Sequence, residues 1–226
     1  MANNEALVSV VFAAASLEAF LNESAYLAER KAHTSAEPPI VSSFAQVMEE
    51  AEESRASIQS KFQLGNLVLA GKTYDKGTAP YQEFSDLIAV RNLLMHGKGI
   101  EQFLSVDGKP VVLNPAAVID KLSRKNILHE AAPEHRKGFV HVSGDTIMAE
   151  LIVLKDDFDL DSIQSKPVPE RLMTRWTYVI GTRAVAQWAC NAASRMATDL
   201  MEKAPHGNWQ QMMEGQFRKA FSVPFE

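Results

Sequence analysis

The feature that most constrains the fold is a broad apolar periodicity near the start of the chain. From about residue 5 to residue 30, apolar side chains recur every three or four positions, the spacing of a helix that buries one face. The stripe comprises Leu7, Val10, Val11, Ala14, Leu17, Leu21 and Ala28, and Phe12, Ala13, Phe20 and Leu27 widen it. So wide an apolar surface predicts a central helix that other helices contact on several sides.

Three further long stretches and one short one have helical spacing. A second helix is predicted over residues 44–62, with Ser43 and Gln46 forming a capping box at its start. The third covers about residues 80–96. The last long helix covers about residues 169–203, where Gly181 permits a bend, and a short final helix follows over residues 209–221.

A segment of mixed character, about residues 100–166, separates the third helix from the last long one. Asp107-Gly108 between short apolar runs predicts a hairpin, and Asn114 before Pro115 predicts the start of a short helix. Strand-like runs follow between residues 139 and 154. We therefore predict a mainly α single domain over residues 1–226. Its architecture would be an up-and-down helical bundle with an inserted mixed α/β segment before the last long helix.

Charge and cysteine content exclude several classes of protein. With 226 residues and a net charge of −5, the chain is not expected to coat nucleic acid by charge alone, and this charge does not exclude a local basic cleft. Cys190 is the only cysteine, which excludes an intramolecular disulfide and a cysteine-based zinc site. The three histidines between residues 129 and 141 lack helical ligand spacing, so we expect no metal and no cofactor. We see no secretion signal and no uninterrupted apolar stretch that could span a bilayer, so we expect a cytoplasmic protein.

The third predicted helix ends in a cluster of polar side chains. Arg91 lies on its apolar stripe, four residues after Leu87 and four before Met95. An arginine there must pair, line a cleft or lie at an interface, because a lone buried charge is too costly. Asn92 and His96 are four residues apart and share the neighbouring strip of the helix. The next residue is a glycine that suits a helix C-terminus, where the helix dipole favours a protonated imidazole.

This run resembles a motif of the HEPN superfamily (higher eukaryotes and prokaryotes nucleotide-binding domains). Arg91-Asn92, three apolar residues and His96-Gly97 match its Arg-x4-6-His pattern, in which Asn commonly follows the Arg. Residues 15–23 also resemble the first helix of many HEPN proteins, where an acidic residue often lies near the active cleft. That likeness makes Glu18 and Asn22 candidate supporting residues. The resemblance covers the first three helices. The last long helix matches only by its position in the chain, and the inserted segment departs from the family pattern.

The resemblance implies a homodimer that cuts single-stranded RNA without a metal. His96 suits proton transfer, which contributes roughly 100- to 10,000-fold to a rate, and Arg91 suits the phosphate oxygens because its planar fork binds two at once. Asn92 would orient the ring or hold the phosphate. Arg91 and His96 are about 140° apart around an ideal helix, so one side chain reaches across or a partner subunit completes the site.

Basic residues within the insert and just before it are candidate RNA contacts. These residues are Lys98, Lys121, Arg124 and Lys125. The resemblance also implies a protein of toxin or defence type. The first alternative is a non-catalytic HEPN module that binds a nucleotide or a protein partner, such as one half of a toxin–antitoxin or phage-defence pair. The second alternative is purely structural: Arg91 pairs with Glu18, and His96 only caps its helix.

Overall fold

A computed structural model describes residues 4–32, 37–96, 103–106, 109–112, 116–130 and 180–221. These residues confirm a mainly α protein, with seven helices and one two-stranded hairpin among them. The helices are α1 (Asn4–Ala32), α2 (Pro39–Glu53), α3 (Ile58–Ala70), α4 (Tyr81–His96), α5 (Ala116–Arg124), α6 (Arg183–Glu202) and α7 (Asn208–Phe221). The strands are β1 (Phe103–Val106) and β2 (Lys109–Val112).

The chain forms two compact units, each built from two stretches of sequence. The first draws on Met1–Val11 and Ile88–Trp188, and the second on Phe12–Leu87 and Ala189–Glu226. The prediction of a single HEPN-like domain over residues 1–226, with an insert at about 100–166, stays a prediction.

The predicted single helix over residues 44–62 is wrong, because two helices occupy this region. Pro39 begins α2, a position that suits proline since a first-turn N–H has no helical acceptor. Ser43 lies inside α2, so the predicted capping box does not form. The hydroxyl of Ser57 caps α3 instead, accepting a hydrogen bond from the Ser60 N–H at 3.1 Å. Gly71 ends α3 at a φ of 69°, a left-handed conformation that only glycine adopts without steric cost.

Aromatic side chains fill the second unit. This aromatic core consists of Phe20, Phe44, Phe62, Phe84 and Trp209, all almost completely buried. The rings of Phe62 and Phe84 have centroids 4.8 Å apart, and those of Phe44 and Trp209 are 5.0 Å apart. Such ring pairs add roughly 0.5–1.5 kcal/mol beyond the area that they bury. The aromatic core therefore fixes how α1, α2, α3, α7 and the start of α4 pack.

Two hydrogen bonds tie the start of α7 to residues far away in sequence. The indole N–H of Trp209 donates to the Ser24 carbonyl oxygen at 3.1 Å. The backbone N–H of Trp209 donates to the Glu37 carboxylate, also at 3.1 Å. A carboxylate at a helix N-terminus is stabilised by the unpaired N–H groups there, so Glu37 caps α7.

The first unit contains the hairpin and α5. Strands β1 and β2 pair antiparallel, with Phe103 opposite Val112 and Val106 opposite Lys109, which confirms the predicted hairpin. α5 confirms the predicted short helix. The expected turn at 107–108, the cap at 114–115 and the strand-like runs at 139–154 lie outside the described residues.

The start of α6 also belongs to the first unit. Residues 181–182 form a bend just before α6, at the position where Gly181 predicts one. Here the Thr182 hydroxyl accepts from the Val185 N–H at 3.3 Å, and the Glu130 carboxylate accepts from the Ala184 N–H at 2.8 Å. Residues 169–179 of the predicted long helix are not among those described.

α1 corrects two expectations. Phe12 is 68% exposed, so it does not widen the buried stripe as predicted. We expected no stretch of the chain to be long and apolar enough to cross a membrane. By length and composition alone, α1 is. Leu17, Phe20 and Leu21 on this helix are buried within the second unit. A core helix of a soluble protein passes the same length and composition test.

Candidate functional site

The predicted site is carried by α4, which begins in buried packing and ends in polar side chains. Phe84, Leu87 and Val90 are completely buried, and Ile88 is only 5% exposed. This confirms the apolar stripe through the first part of the helix. The helix is thus fixed by packing before it reaches the residues of the motif, which occupy its last six positions.

Arg91 and Asn92 interact directly. Arg91 is half-buried and Asn92 is exposed. The Nη1 group of Arg91 donates a hydrogen bond to Oδ1 of Asn92 at 3.0 Å. A guanidinium has five N–H donors, so this contact uses one of them while it restrains the orientation of the fork. The structure therefore brings together two of the three residues predicted to form the catalytic site.

His96 is the last residue of α4. Its side chain, and the whole of Lys98, fall outside what the structure describes. The meeting of the Arg91 and His96 side chains in one pocket therefore stays a prediction.

The two supporting residues lie on α1. Glu18 and Asn22 are both exposed, one helical turn apart on the same strip, as their spacing predicts. Their solvent-facing position is that of an ordinary polar strip on a helix surface. A catalytic supporting role, and the alternative pairing of Glu18 with Arg91, are untested predictions.

Basic side chains cluster at the end of α5. Lys121, Arg124 and Lys125 are exposed and lie within five residues of one another, while Leu122 between them is buried. Cations at a helix C-terminus are favoured by the helix dipole, which accounts for their position without any ligand. Exposed basic side chains are also the kind that contact a phosphate backbone.

Neither a metal nor the single thiol suggests a competing chemistry in the described ranges. Across these residues, no group of three or more His, Cys, Asp or Glu side chains is arranged to hold a metal ion. Burial raises the pKa of the Cys190 thiol, which disfavours the reactive thiolate. Cys190 therefore suits packing on α6 better than nucleophilic chemistry.

Sequence reasoning missed a cleft of about 520 Å³ in the second unit. Its walls come from the first turns of α3 and α4 and from the loop that joins these helices. The residues that line it include Gln59, Ser60, Gln63, Lys76, Tyr81 and Ser85. The only sequence signal for this cleft was the presence of two lysines and two glycines in residues 71–79. Their spacing is not that of a phosphate-binding loop.

A fold alone does not imply a function, so the chemistry of the site must carry the assignment. A scan against protein-family models, a search of curated proteins and a search of solved structures found no match. The HEPN resemblance remains a prediction that rests on residues 91–97 and 15–23.

Proposed function

We propose that the protein is a metal-independent endoribonuclease that cuts single-stranded RNA, of toxin or defence type. One observation carries the proposal: the Arg91 guanidinium is half-buried and hydrogen-bonded to Asn92, near the end of the helix that closes at His96. A cation and an amide held together, combined with the titratable ring that His96 would supply, are groups that can carry phosphodiester cleavage.

The reaction uses the nucleophile that RNA itself supplies. The 2′-hydroxyl attacks the adjacent phosphorus and loses its proton, and the bond from phosphorus to the 5′-oxygen breaks as that oxygen gains a proton. The products are a 2′,3′-cyclic phosphate and a 5′-hydroxyl. His96 moves protons in this scheme, and Arg91 binds the phosphate oxygens as negative charge increases on them.

Asn92 is a positioning residue in this proposal. Its Oδ1 accepts from one guanidinium N–H, which limits the rotation of a long and otherwise mobile side chain. A fork that is already oriented loses less entropy when it binds the phosphate oxygens as their negative charge increases, so it stabilises the transition state more than the bound RNA.

The proposed enzyme works as a homodimer in the cytoplasm. Because Arg91 and His96 differ by about 140° around the helix axis, residues from a second copy would complete the pocket. Lys98, Lys121, Arg124 and Lys125 would contact the RNA backbone, and an antitoxin or another protein partner would restrain the activity. Glu18 and Asn22 would support the site.

The test is cleavage of mixed single-stranded RNA by the purified protein in the presence of a chelator. We expect products ending in 2′,3′-cyclic phosphate, and a loss of at least about 100-fold in rate for His96→Ala and for Arg91→Ala. His129→Ala and Arg218→Ala are matched controls, since both side chains are exposed and lie outside the proposed site. These controls should cleave RNA at the rate of the unmodified protein.

A second function, a non-catalytic module that binds a nucleotide or a protein partner, is favoured by the net charge of −5. It predicts that the unmodified protein never cleaves RNA but binds a ligand saturably, and that Arg91→Ala weakens this binding. Cleavage that persists in both Arg91→Ala and His96→Ala would contradict the nuclease proposal, because another site would then be responsible.

A further inference from the structure

The cleft in the second unit has walls that are held in place by hydrogen bonds. The Gln63 carboxamide binds the Tyr74 backbone twice, accepting from its N–H at 2.7 Å and donating to its carbonyl oxygen at 3.3 Å. Asn66, which is 1% exposed, donates to the Lys72 carbonyl oxygen at 2.6 Å. The loop between α3 and α4 is therefore fixed to α3 at two points and does not collapse into the cleft.

Tyr74 anchors the same loop to α6. Its hydroxyl donates to the Asp199 carboxylate at 2.6 Å, and the Lys203 ammonium lies 4.1 Å from the centre of its ring. On the other side, the Tyr74 ring stacks on Tyr81 with centroids 5.5 Å apart. Tyr81 is itself a wall of the cleft, so these contacts keep the space preformed.

The polar groups that line the cleft are mostly hydrogen-bond donors or groups able to donate. Lys76 contributes an ammonium group, Ser60 and Ser85 contribute hydroxyls, and Gln59 contributes an amide. None of the lining side chains is acidic. The lining therefore carries a positive charge in a protein whose net charge is −5.

The positive ends of two helices add to this charge. Gln59 and Ser60 are in the first turn of α3, and Tyr81 is the first residue of α4. The partial positive charge at each helix N-terminus therefore lies beside the cleft. Three acidic residues lie close in sequence to the lining. Asp75 accepts from the Gly77 N–H at 2.8 Å, Glu83 forms an ion pair with Arg195, and Asp86 is buried.

The size and the apolar part of the lining indicate the rest of the ligand. Leu64 and Tyr81 contribute apolar atoms to the lining. A volume of about 520 Å³ is within the range of small-molecule sites. We propose that this cleft binds a small phosphate monoester, with the phosphate beside Lys76 and the organic part against Leu64 and Tyr81.

This proposal is independent of the nuclease, because no residue of the cleft belongs to the Arg91, Asn92 and His96 site. The experiment that tests it measures ligand binding and not RNA cleavage, so either proposal can fail while the other stands.

The experiment is isothermal titration of the full chain with ribose 5-phosphate and AMP, and with ribose and adenosine as matched ligands that lack the phosphate. We expect saturable binding at one site for both phosphorylated compounds and none for the other two. Lys76→Ala should weaken the binding at least about tenfold, since one charge-assisted contact is lost. Ser85→Leu, which fills the cleft, should abolish it.

Lys72→Ala is the control variant. Lys72 is exposed in the same loop but does not line the cleft, and its backbone oxygen, which Asn66 binds, is retained. This variant removes the same charge and should change the affinity less than about twofold. Equal losses in Lys72→Ala and Lys76→Ala, or equal binding of adenosine and AMP, would overturn the proposal. So would an absence of saturable binding of both phosphorylated compounds in the unmodified protein.

Discussion

The first ten residues of α4 differ sharply from its last six. In the first part, Tyr81, Phe84 and Leu87 are buried, whereas Asn92 is exposed and Met95 is 54% exposed in the last part. Sequence periodicity treats these stretches as one apolar stripe, yet the second is buried less deeply, and Leu93 and Leu94 there are only half-buried. A helix that is fixed at one end can present polar groups at the other with little loss of precision, which is the arrangement that a binding or catalytic site requires.

The largest expected change in stability comes from a substitution in the buried part of α4. Phe84→Ala removes a completely buried ring whose centroid lies 4.8 Å from that of Phe62 and 5.6 Å from that of Tyr81. We expect the free energy of unfolding to fall by about 3–5 kcal/mol, from lost burial and from the cavity left behind. Urea denaturation measures this value. Met95→Ala on the same helix should change it by less than about 0.5 kcal/mol, and similar losses in both variants would contradict the comparison.

An intermediate effect is expected where Tyr74 stacks on the start of α4. Tyr74→Phe keeps the ring but removes the hydrogen bond to the Asp199 carboxylate. A hydrogen bond to a charged group contributes about 1.5–3 kcal/mol, and we expect the free energy of unfolding at pH 7 to fall by that amount. Urea denaturation at pH 7 provides the measurement.

The same variant has a distinct pH profile. Burial, and then the hydrogen bond and charge of Asp199, raise the pKa of Tyr74 above its ordinary value. The folded protein therefore holds this proton more tightly than the unfolded chain does. Its contribution to stability is complete below about pH 10 and is lost as the pH rises further, by up to about 1.4 kcal/mol per pH unit. Tyr74→Phe should lack this part of the alkaline decline, and identical profiles would show that Tyr74 does not cause it.

The smallest effect on stability is expected in the exposed part of α4. Asn92→Ala should change the free energy of unfolding by less than about 0.5 kcal/mol, because the side chain is exposed. If Asn92 orients Arg91 as proposed, kcat for RNA cleavage falls while KM changes little. Asn92→Asp retains an acceptor oxygen for the guanidinium and should restore activity. Equal activity of the alanine variant and the unmodified protein would remove Asn92 from the site.

Local features of this fold could be predicted from the sequence, because spacing and turn residues determine them. α1, α4 and the hairpin agree with their predicted positions. The break between α2 and α3 was not predicted, because residues 54–57 contain no glycine or proline; Arg55 adopts a φ of 54° there instead. Phe12 was misplaced for another reason: periodicity identifies a face of a helix but not whether anything packs against it.

The two candidate sites also differ in how far the local sequence predicts them. Arg91 and Asn92 are adjacent in sequence, so their contact follows from one helix. The cleft combines residues from two helices and a loop, and its shape depends on contacts such as that of Tyr74 with Asp199, which are 125 positions apart. No local pattern encodes such a contact.

The bond from Trp209 to Ser24 joins residues 185 positions apart, and this separation has a consequence for synthesis of the chain. A ribosome makes residues 12–87 long before it makes α7. Phe20 and Phe44 are synthesised early, and for most of the translation time they lack their packing partners Trp209 and Phe217. Nascent chains with exposed aromatic surface are the ones that chaperones bind and that aggregate in their absence. For this protein, the pace of elongation through residues 88–208 sets how long that exposure lasts.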